Sequence, residues 1–265
     1  MKRKNVLITV CCTVAALAAA QLVILGFRGG IGPLKFLKEN QMSKLAGNAA
    51  EYHVENLSPL PDSPLQGKRL LFLGSSVTKG AASLDVSMAD YIRVLDSCEV
   101  VKSAVNGTTL TDTGAGSYVS RLKAIDTAQT FDAVIVQLST NDATKKKPLG
   151  EITGSREITA FDTDTVFGAM EYIIAYVQET WNCPVIFYTG TKYDSSTYQA
   201  MVDGLLKIRD KWDIGVIDLW NDPDMNAVSS EDYALYMHDP VHPTQAGYLR
   251  WWTPKFERYL YNYLG

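Results

Sequence analysis

Ser76, Asp239 and His242 are the residues of this chain whose types and order can carry nucleophilic chemistry. A serine hydroxyl is a weak nucleophile. It needs a base, usually a histidine, and that histidine needs a carboxylate to fix its tautomer. The chain has three histidines, so the search is short. His53 lies far from other chemistry-bearing groups, whereas His238 and His242 fall in His238-Asp239-Pro240-Val241-His242-Pro243. An acid three residues before a histidine in a proline-stiffened loop can turn back on it. Asp239 then meets one ring nitrogen of His242, and the other faces the serine. Two histidines four apart also suit zinc on a helix, but Pro240 between them opposes a regular helix. The serine stands at the end of the apolar run Leu70-Leu71-Phe72-Leu73, in the turn Gly74-Ser75-Ser76-Val77-Thr78. Ester hydrolysis also needs donors for the oxyanion. Gly107 in Asn106-Gly107-Thr108 can offer a backbone N–H, and Asn141 in Ser139-Thr140-Asn141-Asp142 a side-chain amide. Each stretch alone reads equally well as a turn or a helix cap.

These residues must be positioned by strands and helices, and the sequence supplies both in alternation. Strands are expected at Arg69–Leu73, Cys98–Ala104, Ala133–Leu138, Pro184–Tyr188 and Ile214–Leu219. Helices are expected at Ser87–Leu95, Tyr118–Ala128, after the capping group Asp162-Thr163-Asp164, at Tyr198–Trp212, and after Thr244, with a kink at Pro254. Strands separated by helices give a parallel sheet covered on both faces, a three-layer α/β/α domain. Ser76, Gly107 and Asn141 follow strands at one edge, where open α/β sheets build their sites, and Asp239 and His242 come just before the last helix.

Composition sets further bounds. With 46% hydrophobic and 20% charged residues, the 265-residue chain is ordinary globular material. Residues 1–28 hold Lys2, Arg3, Lys4 and Arg28 and no acid. The rest therefore carries 21 basic against 29 acidic residues, a formal −8. Such a domain lacks the basic footprint that nucleic-acid binding requires. Behind Lys2-Arg3-Lys4 an apolar run extends from Val6 to Phe27, long enough for a bilayer core. It reads as an uncleaved signal-anchor, with Ala18-Ala19-Ala20 as the alternative cleavage site of a secreted form. Residues 1–28 are thus expected as a cytoplasmic tail and transmembrane helix. Residues 29–66, with their Gly-Gly, Gly-Pro and Ser-Pro-Leu-Pro punctuation, are expected as a stem, and residues 67–265 as an extracytoplasmic domain.

Together, the four blocks around Ser76, Gly107, Asn141 and Asp239–His242 resemble the SGNH hydrolases, also called the GDSL esterase/lipase family, over about residues 68–250. The resemblance implies a flavodoxin-like five-stranded parallel sheet of order 2-1-3-4-5 and a metal-free, cofactor-free serine esterase. It implies Ser76 as nucleophile, His242 as base and Asp239 as its orienting acid. The Ser76 and Gly107 N–H groups and the Asn141 amide would form the oxyanion hole. In that sheet order Cys98 and Cys183 stand three strands apart, too far for a disulfide. Two residues depart from the family pattern. Ser75 replaces the acid before the nucleophile, which should alter the bonding of the loop, and Ser139 replaces the glycine that opens the third block.

The acyl group is open. Lys79 and Lys145-Lys146-Lys147 flank the expected mouth and read as a solvated face or as attraction for an anion; Trp251 and Trp252 read as helix core or as a platform for a sugar. An anchored extracytoplasmic domain lies beside surface glycans. That makes a short-chain ester of a carbohydrate or wall polymer the expected substrate. Lysophospholipid or thioester hydrolysis is the rival among enzymes, and a catalytically silent binding module the rival outside them.

Overall fold

The computed structural model describes residues 2–24 and 34–265. They fall into two compact units, Met1–Ala46 and Gly47–Gly265. In the first, helices α1 (Lys2–Ile24) and α2 (Phe36–Met42) form. Val10, Val14, Leu17, Leu22, Val23 and Ile24 are exposed along α1. Among the described residues no helix is long and apolar enough to cross a membrane. The expected span to Phe27, together with Arg28 and the glycines that open the expected stem, runs into residues 25–33, outside the described residues.

In the second unit five strands form one parallel sheet: β1 (Arg69–Gly74), β2 (Glu99–Ala104), β3 (Ala133–Gln137), β4 (Val185–Tyr188) and β5 (Gly215–Ile217). Their order is β2-β1-β3-β4-β5, with Leu71 in register with Val101 on one side and Val134 on the other. Side chains alternate across a strand, and both faces are apolar. Leu71, Leu73, Val134 and Val136 enter one core, and Leu70, Phe72, Ala133 and Ile135 the other. The helices in chain order are α3 (Ser76–Lys79), α4 (Met88–Leu95), α5 (Tyr118–Lys123), α6 (Thr140–Thr144), α7 (Val166–Trp181), α8 (Ser196–Trp212), α9 (Ser230–Tyr236), α10 (Gln245–Gly247) and α11 (Thr253–Leu264). Helices α7 and α8 cover the first face, and α4 and α11 the second.

The local chemistry explains most boundaries. Ser87 and Asp90 form a reciprocal capping box that starts α4. Helix α7 is capped by Thr165, whose hydroxyl accepts the Gly168 N–H, and not by the upstream Asp162-Thr163-Asp164 group. Helix α5 ends at Lys123, short of the expected Ala128, where Ile125 N–H tightens onto Leu122 O and the Asp126 carboxylate takes the Ala128 N–H. Pro254 does not kink a continuous helix. A π-helical turn at Tyr248–Trp252 precedes it, and the proline sits in the first turn of α11, where no N–H is needed. Cys98 and Cys183 are buried free thiols, and burial pushes them up to about 12 and about 11.

The stem expected over residues 29–66 is corrected at its C-terminal part, because residues 47–66 pack on the sheet domain. Val54 and Leu65 belong to the second core, and the Tyr91 hydroxyl donates to Tyr52 O at 2.7 Å. Asn48 is buried, with its Nδ2 donating to Ala82 O at 2.8 Å and its Oδ1 accepting from Gln245 N at 2.8 Å.

Candidate active site

Strand β1 ends at Gly74, and the chain turns at once into α3. A side chain at Gly74 would lie 1.6 Å from Thr78 Oγ1, so only glycine lets the turn close this tightly. Ser76 opens α3 and is buried. The first N–H groups of a helix lack intrahelical acceptors. Here Gln137, at the end of β3, meets the N–H of Thr78 and that of Ser75 just before the helix. Its Oε1 accepts from Ser75 N at 2.9 Å and Thr78 N at 3.2 Å. The Thr78 hydroxyl donates to the same oxygen at 2.9 Å and is itself within 2.6 Å of the Tyr188 hydroxyl. The Ser75 hydroxyl donates to Gln137 Oε1 as well, at 3.3 Å.

Across the site, the loop between α9 and α10 closes on itself through His238 N donating to His242 O at 2.9 Å and a bridge between Met237 and Pro243. Asp239 Oδ1 accepts the Val241 and His242 N–H groups, both at 2.9 Å. This turn brings the Asp239 carboxylate to 2.8 Å from His242 Nδ1. The opposite nitrogen, Nε2, stands 2.8 Å from Ser76 Oγ. The three candidates therefore form one hydrogen-bonded line. Burial pushes the Asp239 carboxyl up. The hydrogen bond and charge of His242 and the two backbone donors outweigh it and hold the group down at about 2. His238 is exposed and makes only its backbone bond. Among the described residues no group of three or more His, Cys, Asp or Glu gathers as a metal site.

The expected oxyanion donors come from three turns. Among the described residues no backbone carbonyl accepts from the N–H of Ser76 or Gly107. Gly107 has φ +74°, a conformation that favours glycine. Asn141, in α6, donates from Nδ2 to Thr108 O at 2.9 Å, which ties two of the turns together. The neighbouring Asp142 is fully buried and accepts Leu110 N at 2.7 Å and Thr111 N at 3.2 Å, and burial pushes its carboxyl up. Ser139 has φ −74° and ψ 119°, ordinary extended backbone, so no glycine is needed there.

Two supporting residues escaped sequence reasoning. Gln137 is a polar residue in an otherwise apolar strand, and that anomaly was its signal. Arg121 gave none. Its guanidinium donates to Gly74 O at 2.7 Å, Ser103 O at 2.5 Å and Gly116 O at 3.1 Å. It thus binds the end of β1 to the end of β2 and to the loop before α5. Burial lowers its pKa from the usual value. Of the expected mouth lysines, Lys79 pairs with Asp85 and Lys145 donates to Gly107 O at 2.7 Å. Trp252 is fully buried among Tyr188, Tyr248 and Phe256, so it is core. Trp251 is half-buried and stacks on Tyr236.

Comparison with known proteins identifies a family and a shared fold. The family model described as GDSL-like Lipase/Acylhydrolase matches residues 72–250. No curated protein matches. Among solved structures, a protein from Lactobacillus plantarum is similar at 20% identity, covering 74% of this chain and 97% of that one, with a TM-score of 0.60. An acetyl xylan esterase is similar at 16% identity, covering 71% and 97%, with a TM-score of 0.52. A family two carbohydrate esterase from Clostridium thermocellum, solved with cellohexaose, is similar at 13% identity, covering 79% and 66%, with a TM-score of 0.55.

Proposed function

The chain belongs to the GDSL-like lipase/acylhydrolase family and is a serine ester hydrolase, and we propose that Ser76, His242 and Asp239 are its catalytic triad and an acylated carbohydrate its substrate. The observation that carries the reading is the unbroken line from Ser76 Oγ through both nitrogens of His242 to Asp239, at 2.8 Å on each side. Ser76 attacks the ester carbonyl as His242 Nε2 takes its proton. The oxyanion is met by the Ser76 and Gly107 N–H groups and by the second N–H of the Asn141 amide. His242 returns the proton to the leaving alcohol, and water then repeats the cycle on the acyl-enzyme. Asp239, ionised over the working pH range, holds the tautomer and offsets the positive charge on His242.

The proposed substrate is an O-acetyl or other short-chain ester of a carbohydrate or cell-wall polymer. Similarity in fold to an acetyl xylan esterase and a carbohydrate esterase supports it. The recess beside Val77 and Val241 holds only about 10 Å³, which leaves no room for a long acyl chain there. We place the enzyme at the outer face of a membrane, held by its N-terminal segment. The basic Lys2-Arg3-Lys4, the apolar run behind it and the exposed apolar side chains of α1 support that placement.

Turnover of p-nitrophenyl acetate by the full chain in mild detergent, beside Ser76→Ala, tests the triad. A loss of several orders of magnitude is expected, and equal rates would remove Ser76 from the mechanism. Release of acetate from acetylated oligosaccharides, set against p-nitrophenyl esters of increasing chain length, tests the substrate class.

A further inference from the structure

Beside the small recess lies a second, larger groove of about 320 Å³, at the lower end of the range of about 300–1,000 Å³ usual for small-molecule sites. Thr191 lines both. Lys192, Met225, Ser230, Tyr233 and Trp251 line the rest of the groove. Burial, then the Asp239 charge, raises the pKa of the Tyr233 hydroxyl on its wall.

The groove is a built feature. Asn226 braces it, with Oδ1 accepting Lys192 N at 2.8 Å and Nδ2 donating to Leu219 O, Trp220 O and Asp222 O at 2.9, 3.0 and 2.7 Å. This fixes the loop after β5 against the turn after β4. Trp251 is backed by Tyr236, ring centroids 5.8 Å apart and 26° between planes. The groove therefore needs little ordering when a ligand enters.

Its lining is mixed. Two aromatic side chains, Tyr233 and Trp251, line it together with the Lys192 ammonium group and the Thr191 and Ser230 hydroxyls. A fatty chain wants continuous apolar walls, and Lys192, Thr191 and Ser230 interrupt them. A sugar ring presents C–H groups on its faces and hydroxyls on its rim, which suits aromatic faces flanked by polar groups. We propose that this groove is the subsite for the sugar rings of the substrate alcohol. The inference rests on the carbohydrate-ester reading and adds where the carbohydrate sits.

The test is calorimetric binding of acetylated xylohexaose and acetylated cellohexaose to the full-length Ser76→Ala protein, repeated with Trp251→Ala, Tyr233→Ala or Lys192→Ala added. Thermal melts establish that each variant is folded. The expected result is measurable binding by the parent and a loss of about tenfold in affinity for each aromatic truncation. With the serine restored, the same truncations should raise KM for acetate release from these sugars while kcat holds. If the parent binds the sugars and all three folded variants bind equally well, the groove assignment falls while the carbohydrate reading stands. If the Ser76→Ala parent binds neither sugar and the enzyme with its serine restored cleaves only p-nitrophenyl esters, both fall. A rise in KM for p-nitrophenyl octanoate, without one for the sugars, would make the groove an acyl channel and overturn the proposal.

Discussion

The side chain of Asn48 is joined to the backbone of Gln245, its Oδ1 accepting that N–H at 2.8 Å, while its Nδ2 donates to Ala82 O at 2.8 Å. Gln245 lies three residues after His242 and Ala82 six after Ser76. One buried amide therefore links the turn that follows the nucleophile to the helix that follows the base. Gln245 repeats the link, donating from Nε2 to Ser83 O at 3.1 Å.

Replacing Asn48 with alanine strands a buried N–H and a buried carbonyl, at about 1–3 kcal/mol. Urea unfolding should show that loss, and kcat for p-nitrophenyl acetate should fall with it. A chain starting at Gly47 should keep the wild-type domain midpoint, while one starting at residue 67 should unfold at clearly lower urea. Equal midpoints would show that residues 47–66 are dispensable.

Arg121→Lys should separate fold from function. Lysine keeps the charge but cannot fork among three carbonyls. Gly74 O and the loop before α5 then lose their common tether, and the nucleophile turn drifts against the oxyanion loop. Misplacement on the ångström scale costs up to about 10²-fold in rate. Steady-state kinetics should show this in kcat, with KM little changed; a wild-type kcat would mean the tether is redundant.

Asp239→Asn should lower kcat by about 10⁴-fold through the wrong histidine tautomer. It should also change acid stability. The folded carboxyl is held at about 2, below its unfolded value of about 3.9. Its contribution is present above that unfolded value and is lost as pH falls toward about 2. Melting curves from pH 5 to pH 2 should therefore fall less steeply in the variant than in wild type.

Glu257 predicts the opposite slope. Burial, then the neighbouring Asp96, pushes its carboxyl up to about 7. Asp96 is itself buried and accepts from the Ser63 hydroxyl at 2.6 Å and the Tyr261 hydroxyl at 2.5 Å. The raised folded pKa favours the native state below the unfolded value, about 4.3, and that advantage is lost as pH rises through about 7. The wild-type melting temperature should decline from pH 5 to pH 8, and Glu257→Gln should flatten the decline. An identical slope in both proteins would place the titration elsewhere.

The sequence by itself determined the sheet and the chemistry set. Strands such as Leu70–Leu73 and Ala133–Val136 are apolar on both faces, and only a sheet covered on both sides satisfies them. The triad pairing of Asp239 with His242 is local, three residues apart in a proline-bound turn, so spacing alone carries it. Expectations failed where a boundary depends on competing local bonds, as at Thr165, at the end of α5 and at the π-helical turn before Pro254. What only the tertiary structure decided are contacts between residues far apart in the chain. Gln137 meets Ser75 across 62 positions, Arg121 meets Gly74 across 47, and Asn48 meets Gln245 across 197. No periodicity encodes such pairs, because each depends on where two turns arrive once the sheet has formed. For the same reason residues 47–66, rich in loop signals, read as a stem and are part of the domain. Their hydrogen-bond partners exist only in the folded molecule.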